Sequence, residues 1–146
     1  APCGVAQQQV IKNALRDAKV RAQDVNYVEA HGTGTRLGDP IELNALRAVY
    51  GTKRDSQVLV GALKRDIGHL EGAAGLAGLL KTILVLRHES VPANLNLNKI
   101  NPLYEEKSNG NLYVFMLHSS YNSFKHTHIH THVQALLHFQ LKQHVS

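Results

Sequence analysis

The chain is short of cysteine. Cys3 stands alone among 146 residues. No internal disulfide framework can form, and a reducing compartment, the cytoplasm, is the natural inference. Long apolar runs are also missing. No stretch reaches the roughly 18 apolar residues that a membrane-spanning helix needs. The opening APCGVAQQQV has no basic segment followed by an apolar one, so no signal peptide is expected. No methionine starts the chain, which fits a fragment better than a complete gene product. Neither the phosphate-loop signature nor the Gly-x-Gly-x-x-Gly turn occurs, which argues against a nucleotide fold.

What is present is ordinary in bulk. Hydrophobic residues make up 43%, enough for a packed core. The formal charge of +5 raises the question of nucleic acid. The basic residues are dispersed, however. The longest cluster is Lys53-Arg54, and others stand beside acids, as in Lys64-Arg65-Asp66. This reads as a solvated surface, with no nucleic acid and no membrane as partners.

Residues 1–102 follow an α/β grammar. Gln7 to Ala18 predicts an amphipathic helix, with Val10, Ile11, Leu15 and Ala18 on one face. Val25 to Ala30 predicts a short strand, and the Gly-rich stretch 31–38 a loop. Asp39-Pro40-Ile41-Glu42 predicts a helix start, with Asp39 as N-cap, Pro40 at N1 and Glu42 closing a capping box. That helix turns Leu46 and Val49 inward and ends near Gly51 as a C′ glycine. Gln57 to Leu63 predicts a strand buried on both faces. Ala73 to Arg87 is apolar nearly all round, which predicts a buried helix, and Pro92 ends the pattern. This order implies a layered α/β fold with both sheet faces covered.

Residues 103–146 differ. They hold seven of the ten histidines: His118, His126, His128, His130, His132, His138 and His144. From His126 to His132, histidine takes every second position, which puts four on one face of a strand. Such a cluster could bind zinc or copper. A translated CA dinucleotide repeat produces the same alternation of His and Thr. The expectation is a His-rich tail that is disordered or mistranslated, with no metal site.

Two histidines lie in settings suited to chemistry. His31 follows a predicted strand, between Glu29-Ala30 and Gly32-Thr33-Gly34-Thr35. Glycines there let backbone approach a ligand, and the threonines offer hydroxyls. His69 follows the second strand, inside Lys64-Arg-Asp-Ile-Gly-His69-Leu-Glu71-Gly-Ala-Ala-Gly75. Ligand sites in α/β folds gather at such strand ends. The plain alternatives stay open. A lone histidine at a strand end is more often structural. Lys64 could be a surface lysine. Glu71 could be a first-turn charge favoured by the helix dipole.

Glu29-Ala-His-Gly-Thr-Gly-Thr35, followed by Leu37-Gly-Asp-Pro-Ile-Glu42, resembles the first histidine motif of β-ketoacyl synthases. Lys64 to Gly75 resembles their second. Ala1-Pro2 with Gln8, and Val91-Pro-Ala-Asn94 through Asn101-Pro102, resemble flanking stretches, so the resemblance covers 1–102. The motif details favour the modular polyketide or animal-type fatty-acid branch. The resemblance implies the C-terminal half of a thiolase-like layered fold. It implies decarboxylative Claisen condensation of an acyl thioester with a malonyl thioester held on acyl carrier protein. By resemblance His31 and His69 donate hydrogen bonds to the developing oxyanion, and Lys64 supports them, with Glu71 as its partner. Thr33 and Thr35 contact the phosphopantetheine arm of the carrier protein, no cofactor is resident, and the intact enzyme is a homodimer.

Two departures matter. The family's nucleophilic cysteine belongs to the N-terminal half. Cys3, 28 positions before His31, is too close to take that role. The Gly-rich closing strand is replaced by the His-rich tail. The chain alone is therefore expected to be inactive, and half of a layered fold is expected to expose an apolar face.

Overall fold

The structure is a computed structural model and describes residues 3–51, 57–94 and 112–114. Helix α1 (Gly4–Asp17) begins earlier than predicted, because the Gln7 amide closes a first turn on the Cys3 carbonyl at 3.0 Å. It buries Ile11, Ala14 and Leu15, the spacing of one helical face. Strand β1 (Tyr27–Glu29) leads through the glycine loop to α2 (Gly38–Tyr50). Strand β2 (Val58–Gly61) follows, then a four-residue helix α3 (Lys64–Ile67) and the long α4 (Ala74–His88). Strand β3 is Leu112–Val114.

The three strands form one parallel sheet in the order β1-β2-β3. Tyr27 stands opposite Leu59, and Leu59 opposite Tyr113. Strands β1 and β2 are buried throughout, as a parallel strand covered on two faces must be. Alternation sorts their side chains. Val28, Ala30, Val58 and Val60 pack against Ile11 and Leu15 of α1 and Leu46, Val49 and Tyr50 of α2. Tyr27 and Leu59 face the other way, onto Val85 of α4. The order of layers is thus α1 and α2, the sheet, then α4. Each buried aliphatic side chain contributes about 1.5–3 kcal/mol. Among the described residues, the α1–α2 side therefore holds most of the apolar stabilisation, and the α4 side is joined by few apolar contacts.

Several expectations need correction. The N-cap of α2 is Leu37, with no side-chain cap. The Asp39 carboxylate instead accepts from the Gly34 amide at 3.1 Å. Glu42 makes no capping box, because its carboxylate turns to the glycine loop. Pro40 is the third residue of the helix, still within the first turn, where an amide is not needed. Gly51 caps α2 with φ −80, a right-handed conformation rather than the left-handed one expected. Helix α4 is not covered on every side. Ala74, Gly78, Lys81, Thr82 and Val85 are buried, while Leu80 and Leu84 stand half exposed and Leu76 more so. Its apolar circumference exceeds what the described residues cover. Within the segment expected to form the tail, Leu112–Val114 pair with β2 as a third strand. The run His126–His132 and the pair Lys53-Arg54 lie outside the described residues.

Candidate active site

The first loop leaves β1 after Ala30, whose amide donates to the Gly61 carbonyl at 2.7 Å. That bond holds the ends of β1 and β2 side by side. His31 comes next. Glu42, on the first turns of α2, accepts from the His31 amide at 2.7 Å and the Gly32 amide at 2.9 Å. One buried carboxylate therefore fixes the backbone that carries the imidazole. Gly32 has φ +51, and a Cβ there would stand 2.5 Å from the Ala62 Cβ. Only glycine lets the two loops lie this close. Thr33 and Thr35 are exposed on the same loop, and the Thr35 hydroxyl accepts from the Gly38 amide at 3.1 Å while keeping a proton to donate.

The second loop leaves β2 at Gly61. Asn94, 3% exposed, stitches its base. Its carbonyl oxygen accepts from the Ala62 amide at 2.9 Å, and its amide nitrogen donates to the Val60 carbonyl at 3.1 Å. Helix α3 then presents Lys64, and His69 follows beyond Gly68. The Glu71 amide donates to Nδ1 of His69 at 2.9 Å. Neutral His69 must then carry its proton on Nε2, which becomes the donor. The rings of His31 and His69 meet edge to face with centroids 5.8 Å apart.

Charge at the site is held by burial against carboxylates. Burial pushes the Lys64 ammonium below its ordinary value, and Glu42 and Glu29 pull it back up. Burial pushes Glu42 above the ordinary carboxylate value, opposed by the Gly32 and His31 amides. Asp39 is raised by burial too, against hydrogen bonds from Gly34 and Thr35. Beneath the loops lies Glu29. It accepts from the Leu63 amide at 2.6 Å, from the Tyr27 hydroxyl, and is paired with the Lys81 ammonium at 2.9 Å. Glu29, Lys64, Gly68 and Gly78 line one small cleft between the second loop and α4.

The structure thus brings together His31, His69 and Lys64, with Thr33 and Thr35 on the adjoining loop. Glu71 enters through its backbone amide, and the carboxylates acting on Lys64 are Glu42 and Glu29. Sequence reasoning gave no site role to Glu29, Glu42, Lys81, Tyr27 or Asn94. A lysine inside an otherwise apolar helix was the available signal for Lys81. The alternation of Tyr27 and Glu29 on one strand face was another.

Residues 1–98 match the family model described as the β-ketoacyl synthase C-terminal domain. The chain belongs to that family. Among curated proteins, erythronolide synthase EryA3 of Saccharopolyspora erythraea is 53% identical over 107 residues, covering 72% of this chain and 3% of that one. Polyketide synthase GfsA of Streptomyces halstedii is 52% identical over 101 residues, covering 68% and 1%. Among solved structures, ketosynthase twelve of the bacillaene polyketide synthase from Bacillus amyloliquefaciens superposes with TM-score 0.73 at 40% identity, covering 80% of this chain and 21% of that one. The β-ketoacyl synthase chain therefore spans a few per cent of these synthases and about a fifth of the ketosynthase. Its fold is the thiolase-like layered α/β fold, present in part. Among the described residues, no helix is long and apolar enough to cross a membrane.

Proposed function

We propose that this chain is the C-terminal part of a β-ketoacyl-ACP synthase that joins an acyl thioester to a malonyl extender with loss of CO2. The observation that supports it best is the meeting of His31 and His69 at 5.8 Å, on loops held together at Gly32 and Ala62. A cysteine from the N-terminal half takes the acyl group as a thioester. The malonyl carboxylate leaves as CO2, and its bonding electrons form an enolate. The enolate carbon attacks the acyl carbonyl and expels the cysteine thiolate. Negative charge gathers on the extender's thioester oxygen during decarboxylation. Donors fixed in advance lower that barrier most. His69 offers Nε2–H because Glu71 occupies Nδ1. His31 stands beside it on a backbone clamped by Glu42. Lys64 adds positive potential at the loop base. Thr33 and Thr35 are suited to the phosphopantetheine arm that acyl carrier protein delivers. The intact enzyme is a homodimer, and the chain by itself does not condense thioesters.

The test is a hybrid in which residues 1–98 replace the matching segment of a ketosynthase such as that of EryA3. The hybrid should decarboxylate malonyl-ACP and condense. His31→Ala and His69→Ala should each slow decarboxylation by about 100-fold or more, while acyl loading persists. Unchanged decarboxylation in both variants would overturn the reading.

A further inference from the structure

Tyr27, Glu29 and Lys81 form a buried trio behind the two histidine loops. The Lys81 and Glu29 side chains are 8% and 6% exposed. Removing two charges from water is costly, and an apolar pair of the same shape is often as stable or more so. Stability alone is therefore a weak reason for this pair. Its geometry offers a better one. Glu29 is two residues before His31 on the same strand end. One carboxylate oxygen takes the Leu63 amide at 2.6 Å, at the residue just before α3. The other oxygen takes Lys81 and Tyr27. One side chain rooted at the His31 loop thus grips the start of the loop that bears Lys64 and His69.

We infer that Glu29 is a positioning residue that sets the His69 loop in register with His31, and that Lys81 and Tyr27 hold its carboxylate in place for that purpose. The inference rests on the reading of both histidines as oxyanion donors. Lys81 reaches in from the buried face of α4, so the pair also ties that helix to the sheet beneath the site. The cleft beside it is lined by Glu29, Lys64 and Gly68, which puts the strut directly behind the working residues.

Two variants of the full 146-residue chain separate positioning from folding. Leu63→Pro removes the amide that Glu29 grips and leaves the ion pair intact. The Leu63 φ of −63 already suits proline. The double variant E29M/K81M removes both charges together, so no charge is left buried and alone. Backbone hydrogen exchange is followed by mass spectrometry. The expected result is exchange over residues 62–69 faster by about tenfold in both variants, with the α1–α2 core unchanged. In the hybrid enzyme, both should lower kcat for decarboxylation by about tenfold or more, with KM within about twofold. Wild-type exchange over 62–69 in both variants would overturn the inference. Equal loosening of the α1–α2 core would do so too, since the pair would then merely hold the fold. The exchange measurement uses no substrate. If the wild-type hybrid fails to decarboxylate, the functional reading fails while the test of Glu29 still stands.

Discussion

Glu42 is buried, yet its carboxylate is the clamp on the His31 loop. Its folded pKa lies above the ordinary value of 4.5, chiefly because burial disfavours the charge. A raised carboxylate contributes stability fully below the unfolded pKa and loses it as pH rises through the folded value. Glu42→Gln cannot ionise. At acid pH it should be the less stable protein, because its NH2 group cannot accept one of the two amide bonds, at about 1–3 kcal/mol. As pH rises above 4.5 the gap to wild type should narrow, read by urea unfolding at a series of pH values. A gap that widens with pH would contradict this account. The same residue shows a limit of sequence reading. Asp39-x-x-Glu42 satisfies a capping-box pattern, and spacing alone cannot tell that pattern from a side chain reaching back to a distant loop. His31 and His69 were legible because glycines flank both, a local signal that owes nothing to tertiary contacts.

At the level of elements, the decisive contact is loop against loop. Gly32 and Gly34 both adopt positive φ, at +51 and +77. A methyl group at 34 would meet nothing within 4 Å, whereas one at 32 meets Ala62. Gly34→Ala should therefore cost only the backbone term, about 1–2 kcal/mol. Gly32→Ala should cost that and an overpacking term of about 1–3 kcal/mol more, and it should part the two histidine rings. Denaturant melts of the pair measure the difference, and equal losses would show that the loops do not abut. Strands β1 and β2 were legible from runs of β-forming residues, though both came out shorter than predicted. Strand β3 was not, since three residues inside a biased segment carry little periodic signal. Helix α3 was missed for a similar reason, because four residues make barely one turn.

For the molecule as a whole, α4 is the element that is out of balance. Leu76, Leu80, Ile83 and Leu84 are 61%, 53%, 47% and 51% exposed on one helix. Such a row is an aggregation liability in the chain alone. Leu80→Glu with Ile83→Glu should reduce self-association of the isolated chain, seen by light scattering at equal concentration. The same change should abolish activity in the hybrid, where the remaining layers are expected to cover that face. No change in scattering would mean the row is covered by other means. The sequence did report this helix as apolar all round. It could not report which side would lack a neighbour, because that depends on layers contributed from elsewhere.

The space around Gly61 carries an implication for substitution. A Cβ there would crowd the Tyr27 hydroxyl and come within 2.9 Å of the Lys81 ammonium. Position 61 is thus coupled to Tyr27 and Lys81 by contact, and Lys81 to Glu29 by charge. Replacing Lys81 by a neutral residue strands the Glu29 anion unless position 29 changes with it, and a bulkier residue at 61 displaces the Tyr27 hydroxyl and the Lys81 ammonium. A change at one of these sites alone should therefore cost more stability than the same change made together with its partner.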